Sequence, residues 1–219
     1  MDDIDKIFAV LLVVYSITLH ELAHAWSATW LGDPTPGRAG RLTWNPLVQL
    51  HPIYSVVLPL MSFALTGRPM GFAFCPIDPS RFKRPLLYQA LVGAAGPLAN
   101  FAIALICLGL LWIPQIAPDN SVNQRVFFAV MLWNLFLGIF NLLPFPGLDG
   151  YMVIRPLLPR VIRLQLDKIR YMGYLPLLLI MTLSGPFTWP LYAKVWFGLR
   201  HVLPSSELWT TFFYRFMGF

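Results

Sequence analysis

Long apolar stretches, separated by loops rich in arginine and proline, dominate this sequence. Stretches of roughly 17 to 25 apolar residues are typical of helices that cross a membrane. Four stretches reach that length and predict membrane spans, at about Ile7–Leu31, Leu86–Ile113, Val126–Leu143 and Tyr171–Leu199. The pattern therefore predicts an all-α integral membrane helix bundle. Prolines within the last stretch leave open whether it forms one span or a broken pair.

A shorter apolar stretch lies between the first two predicted spans. Ile53–Leu65 has only 13 residues and contains Pro59, so we interpret it as a re-entrant or interfacial segment. After it, Gly71–Phe74 alternates small and aromatic residues in the manner of a short strand. An ordinary membrane-surface loop is the alternative. We therefore predict a short re-entrant or strand-like hairpin at this place in the chain.

The composition is that of a membrane protein. Of the 219 residues, 57% are hydrophobic and only 12% are charged, whereas about a quarter of the residues in a soluble domain are charged. We expect residues 1–219 to form a single membrane-embedded domain, with a core at about residues 7–155 and C-terminal helices at about residues 171–219. The two cysteines, Cys75 and Cys107, have neither a disulfide framework nor metal-ligand spacing.

The positive charges lie in particular loops. The loop before the second predicted span and the loop after the third are basic, whereas the loop after Ile113 carries few charges. Loops of this kind orient membrane helices, so the net charge of +6 does not indicate nucleic-acid binding. Because cytoplasmic loops carry an excess of Lys and Arg, we predict a multi-pass protein with its N-terminus outside. The hairpin then lies near the cytoplasmic face, provided that Ile53–Leu65 does not cross.

A candidate metal motif lies inside the first predicted span. The segment reads His-Glu-Leu-Ala-His from His20 to His24. Residues four apart project from the same side of a helix, so the two histidines can bind one metal ion, with Glu21 beside them as a general base. When charged, each such group costs about 2.5 to 3.5 kcal/mol at the centre of a bilayer. A span that carries three of them therefore indicates function.

A catalytic zinc ion normally has three protein ligands, so His20 and His24 require one more. Asp149 is our candidate, because it follows the third predicted span within Asn141–Gly150. The prolines and glycines of that segment break regular helix and can turn a carboxylate back toward the histidines. His51, at a predicted membrane edge, is the alternative. We predict one Zn²⁺ ion held by His20, His24 and Asp149.

Four motifs in this order resemble the site-2 protease family of intramembrane zinc metalloproteases. The family's His-Glu-x-x-His motif matches residues 20–24, and its Asn-x-x-Pro-x-Pro-x-Leu-Asp-Gly pattern matches Asn141–Gly150 at every specified position. Two further stretches are similar, Gly-Arg-Leu-Thr-Trp-Asn-Pro-Leu at residues 40–47 and Ala-Gly-Pro-Leu-Ala-Asn at residues 95–100. The resemblance covers roughly residues 7–155.

The resemblance implies that His20, His24 and Asp149 bind zinc and that Glu21 is the catalytic carboxylate. It implies hydrolysis of peptide bonds in or near transmembrane segments of protein substrates, from the cytoplasmic side. The chain departs from the family where residues 49–52 replace a His-Ile-Asp-Pro stretch, and where the second glycine after Leu-Asp-Gly is a tyrosine. It has no insertion of PDZ size between the spans, so it resembles a short form of the family.

Four residues are candidates for substrate binding. Asn100 and Asn141 can polarise the scissile carbonyl or hold the substrate backbone, and the alternative is a hydrogen bond between helices. A transmembrane substrate must unwind before cleavage, and an extended segment can pair with the edge of the strand that contains Phe72 and Phe74. We therefore include these two residues in the candidate site.

A metal-binding membrane protein without catalysis, such as a transporter or a regulatory pseudoprotease, is the rival hypothesis. Transport requires metal ligands but no general base, so Glu21 distinguishes the two classes. Transport also favours polar groups that continue across the membrane, and few appear in the other predicted spans. The protease hypothesis therefore leads, with a transmembrane protein and membrane lipid as partners. The pattern does not indicate an oligomeric state.

Overall fold

The computed structural model describes residues 3–49, 75–119, 121–171, 194, 197–199 and 201–203. Seven α-helices are discussed below: α1 (Asp3–Trp30), α2 (Thr35–Arg38), α3 (Pro46–Gln49), α4 (Pro85–Leu111), α5 (Val122–Asn141), α6 (Asp149–Ile154) and α7 (Arg160–Tyr171). Short 3-10 helices cover Pro79–Arg81 and Arg155–Leu157. These described residues contain no β-strand, which confirms the mostly helical prediction. The predicted hairpin and most of the fourth predicted span lie outside the described residues.

Helices α4 and α5 are both long and apolar enough to cross a membrane. With 27 residues, α4 is about 40 Å long at 1.5 Å per residue. It packs against α1 on one side and against α5 on the other. Between α4 and α5 lies a cluster of buried apolar side chains, which includes Ala104, Cys107, Leu111, Val126, Phe128, Val130 and Met131. Cys107 therefore packs in the core, in agreement with the sequence.

Helix α5 begins four residues before the predicted span, because Ser121 caps it. The hydroxyl of Ser121 accepts a hydrogen bond from the backbone nitrogen of Gln124 at 3.1 Å. This contact satisfies one of the backbone donors that a helix leaves free in its first turn. The polar residues of that turn thus belong to the helix, although they carry no apolar signal.

Glycines let α4 approach its neighbours closely. A Cβ atom on Gly93 would lie 2.8 Å from the Cβ of Met152 and 3.0 Å from the carbonyl oxygen of Asp149. Only a glycine at this position leaves room for the backbone of α6 against α4. The short helix α6 is thereby held against α4 at its first residue, Asp149.

A polar cluster joins α6 to α7. Arg155 donates hydrogen bonds to both carboxylate oxygens of Asp167, at 3.0 and 2.7 Å. The hydroxyl of Tyr151 donates to the same carboxylate at 2.7 Å. The hydrogen bonds that Arg155 donates to Asp167 raise the pKa of Arg155 above its ordinary value, so the guanidinium stays charged. Because Tyr151 lies two residues after Asp149, these contacts also restrain the start of α6.

Candidate metal centre

Three side chains from α1 and α6 converge beside α4. His20 Nε2 and His24 Nε2 are 3.0 Å apart. The Oδ2 atom of Asp149 lies 3.1 Å from His20 Nε2 and 3.3 Å from His24 Nε2. The structure thus brings together three residues that the sequence predicts as ligands of one metal ion.

Each histidine of the cluster is oriented by its other ring nitrogen. His20 Nδ1 donates a hydrogen bond to the side-chain oxygen of Asn100 at 2.5 Å. His24 Nδ1 donates to the backbone carbonyl of Val92 at 2.7 Å. Since an oxygen of this kind only accepts, Nδ1 carries the proton in both neutral rings, and Nε2 carries a lone pair. Both lone pairs therefore face the space beside Asp149.

The backbone before α6 brings Asp149 to this position. Gly147 has a φ of +112°, a conformation that glycine adopts without steric cost. Gly150 packs so tightly that a Cβ atom would overlap the carbonyl of Leu142. The chain therefore reverses sharply after α5, and this reversal returns the carboxylate of Asp149 to the histidines on α1.

The donor atoms of this cluster fit a zinc ion. Asp149 Oδ2 is buried and has no hydrogen-bond donor within the described part of the chain. Tetrahedral zinc with bonds of about 2.0–2.2 Å separates its ligand atoms by roughly 3.3–3.6 Å, close to the separations of 3.0–3.3 Å in this cluster. Three ligand atoms this close together, one of them a carboxylate oxygen, can hold a cation.

The space for such an ion depends on Gly96 of α4. A Cβ atom at this position would overlap His24 Nε2 and would lie 2.6 Å from His20 Nε2. The backbone of α4 thus forms one wall of the cluster. Any side chain on Gly96 would lie against the Nε2 atoms of His20 and His24, which are the atoms that would bind the ion.

Glu21 lies next to both histidines in α1. Its side chain is buried, with 6% of the residue exposed. A buried carboxylate is costly unless it has polar partners or a function. Glu21 adjoins His20 in α1 but is not one of the three clustered ligand residues. A general base needs such a position, near the metal site but free of the metal.

Comparisons with known proteins identify the family. The chain is 34% identical over 192 residues to YwhC of Bacillus subtilis, provisionally named a zinc metalloprotease, and the match covers 84% of this chain and 85% of YwhC. This chain belongs to the site-2 protease family of zinc metalloproteases. Rip2 of Mycolicibacterium smegmatis, with the same provisional description, is 32% identical over 214 residues, which cover 90% of this chain and 79% of Rip2.

A more distant relative of this site-2 protease is the zinc metalloprotease MJ0392 of Methanocaldococcus jannaschii. It is 28% identical over 150 residues, which cover 68% of this chain and 34% of that protein. No family model matches the sequence. No solved structure matches it either. The cluster of His20, His24 and Asp149 agrees with the zinc that the names of the relatives imply.

The other candidate residues of the site-2 protease chain lie in different places. Asn100 contacts His20, as described above. Asn141 donates a hydrogen bond to the carbonyl of Leu137 in its own helix, at 3.0 Å, and its role in substrate binding stays a prediction. His51, Phe72 and Phe74 lie outside the described residues.

Sequence reasoning missed two residues of this region. Gly96 enters the sequence analysis only within the motif at residues 95–100, whereas in the structure it borders the ligand atoms. Asn134, a buried amide of α5, was not singled out. Its signal is an asparagine in the middle of an apolar span, where a polar group indicates either a helix contact or a function.

Proposed function

We propose that this protein is an intramembrane zinc endopeptidase that hydrolyses peptide bonds in or near transmembrane segments of its substrates. The observation that carries the proposal is Glu21, a buried carboxylate next to His20 in α1, where His20 and His24 cluster with Asp149 as the three ligand residues. A structural zinc site needs four protein ligands and no base, whereas a catalytic site has three and an open position. Three ligands with an adjacent carboxylate match the catalytic type.

Each residue of the site has a distinct role in this proposal. His20, His24 and Asp149 hold the ion. Zinc, when bound, supplies Lewis-acid chemistry that makes water acidic and polarises a peptide carbonyl. The carboxylate of Glu21 accepts a proton from the attacking water and then donates it to the nitrogen of the leaving amine. One carboxylate thus serves as base and then as acid.

The membrane context supports a transmembrane substrate. The cluster lies on helices that pack against α4, which is long enough to span a bilayer. A helical substrate must unwind locally before cleavage, since its carbonyls are hydrogen-bonded within the helix. We propose that the freed backbone pairs with the segment that contains Phe72 and Phe74. Asn141, at the end of α5, is proposed to assist at the carbonyl.

The ligand set is tested by metal analysis. We expect His20→Ala, His24→Ala and Asp149→Ala each to lower zinc content and proteolysis together, because loss of one of three ligands weakens zinc binding strongly. The measurement is the molar ratio of zinc to purified protein by mass spectrometry, with cleavage of a transmembrane substrate in parallel. His51→Ala is the control and should keep its zinc. Full zinc in Asp149→Ala with loss in His51→Ala would reassign the third ligand.

We further propose that the N-terminus lies outside and that the active site opens toward the cytoplasm. Ser80 precedes α4 and Gln115 follows it, and both are exposed. A spanning α4 would put these two residues on opposite sides of the membrane. In a background without Cys75 and Cys107, an impermeant thiol reagent on intact cells should label Gln115→Cys and leave Ser80→Cys unlabelled. The reverse result would invert the orientation.

A further inference from the structure

A chain of buried hydrogen bonds connects three helices and ends on His20. The amide nitrogen of Asn100 in α4 donates to the side-chain oxygen of Asn134 in α5 at 2.8 Å. The amide nitrogen of Asn134 donates to the hydroxyl of Ser16 in α1 at 2.9 Å. Asn100 and Asn134 are completely buried, and Ser16 is 2% exposed. Buried amides of this kind require satisfied partners, and each of these is satisfied.

The partners of Asn134 determine the direction of the whole chain. Its amide nitrogen also donates to the carbonyl oxygen of Val130 at 2.9 Å, and a carbonyl can only accept. The hydroxyl of Ser16 donates to the carbonyl of Leu12 at 2.8 Å, so toward Asn134 it is an acceptor. Both contacts need the nitrogen of Asn134. Its oxygen must therefore face Asn100.

The orientation of Asn100 follows from this arrangement. Because the oxygen of Asn134 accepts, Asn100 presents its nitrogen to Asn134 and its oxygen to His20. His20 must then carry its proton on Nδ1 and its lone pair on Nε2, the atom beside Asp149. A flipped Asn100 would present hydrogens to Nδ1 and favour the opposite tautomer, whose Nε2 cannot bind a metal.

The two histidines differ in this respect. His24 Nδ1 donates to the backbone carbonyl of Val92, which is held in α4 and cannot exchange a donor for an acceptor. The partner of His20 is a side-chain amide, which can rotate by half a turn. Only His20 therefore depends on a further residue to keep its partner in the accepting orientation.

We propose that Asn134, acting through Asn100, is a positioning residue that fixes the metal-binding tautomer of His20. The inference rests on the proposed function, because it assumes that the cluster holds zinc. Asn134 is hydrogen-bonded to Asn100, and Asn100 is hydrogen-bonded to His20. A residue that is hydrogen-bonded directly to a metal ligand, as Asn100 is to His20, typically changes metal affinity by about 10- to 100-fold, and Asn134 acts through that residue.

A pair of variants separates this role from a merely structural one. In Asn134→Ala, Asn100 is free to flip, and we expect the affinity for zinc to fall by about 10- to 100-fold. The double variant Asn134→Ala/Asn100→Asp places a carboxylate against His20. A carboxylate accepts in either orientation, so the double variant should recover most of the lost affinity. The measurement is competition for zinc with a chelator of known affinity, on purified protein in detergent.

Two control variants accompany the pair. Ser16→Ala removes one acceptor of Asn134, but the carbonyl of Val130 still holds the amide, so zinc affinity should stay within about twofold of wild type, well below the range above. Gln124→Ala removes another buried amide of α5, about 15 Å along the helix from Asn134, and should not change zinc affinity. In metal-free protein, nitrogen-15 NMR of labelled histidine should detect the neutral tautomer protonated on Nε2 in Asn134→Ala but not in the double variant.

The possible results are distinct. Wild-type protein that takes up no zinc would refute the proposed function, whatever the variants do. Zinc-binding wild type with equal affinity in Asn134→Ala would refute the positioning role alone. Loss of affinity that Asn100→Asp does not restore would also overturn it, since the asparagines would then serve only to hold the helices together. If Asn134→Ala does not fold, Asn134→Leu, which has the same number and branching of side-chain heavy atoms as asparagine, replaces it in both variants.

Discussion

Glu21→Gln is expected to abolish proteolysis while zinc stays bound. Glutamine has nearly the same size and shape as glutamate, so the packing beside His20 and His24 is preserved. An amide cannot accept the proton of the attacking water, and loss of a general base costs about 10²- to 10⁴-fold in rate. The measurements are initial rates of cleavage of a transmembrane substrate in detergent or nanodiscs, and zinc content of the same preparation.

The natural control is Glu207→Gln, the same chemical change at the other glutamate of the sequence. It should cleave at the wild-type rate. Near-stoichiometric zinc with no cleavage in Glu21→Gln supports the catalytic role, whereas substantial residual cleavage would refute it. A wild-type protein that binds zinc but cleaves no membrane-protein substrate, as judged by proteomic comparison of membrane fragments, would favour the non-catalytic metal-binding alternative.

Gly96→Ala is expected to weaken zinc binding without removing any ligand. The added Cβ would overlap His24 Nε2 and crowd His20 Nε2, in the space on which their lone pairs converge. Overpacking in a tight interior typically costs about 1 to 3 kcal/mol. If this cost falls on the zinc-bound form, zinc affinity drops by roughly 10- to 100-fold, and cleavage falls with it. Zinc affinity by chelator competition is the deciding measurement.

Gly109→Ala is the matched control for this prediction. Gly109 lies in the same helix, but a Cβ atom there would come within 4 Å of no other described residue outside its own turn of helix. It should keep wild-type zinc affinity and slightly gain helix stability, because alanine favours helix over glycine. Gly96→Ala with unchanged zinc affinity would mean that α4 can shift away from the histidines, and that it does not form a fixed wall of the site.

The ligand cluster could be predicted from sequence because its signals are local. His20 and His24 are four residues apart on a helix, a spacing that alone places them together. Asp149 required a second signal, the run of prolines and glycines that ends the preceding span. Tertiary packing brings Asp149 to the two histidines. The sequence nevertheless marks the histidine pair and the aspartate separately, each by a recognisable local pattern.

Gly96 and Asn134 could not be assigned in the same way. A glycine within an apolar helix has several possible causes, and only the neighbouring helix reveals which one applies. The hydrogen bonds of Asn134 reach residues 34 and 118 positions away, so no local spacing encodes them. The start of α5 was misplaced for a different reason, because hydropathy does not detect a cap such as Ser121.

The separation of the ligands along the chain has a consequence for biosynthesis. Asp149 follows His24 by 125 residues (149 − 24), so α1 is synthesised long before the third ligand exists. During that interval the two imidazoles lack the carboxylate that completes their cluster. The ion can be captured only after α6 docks on α4. A chain whose synthesis has not passed Asp149 therefore has no complete metal site, and metal binding waits until α6 has formed beside the two histidines of α1.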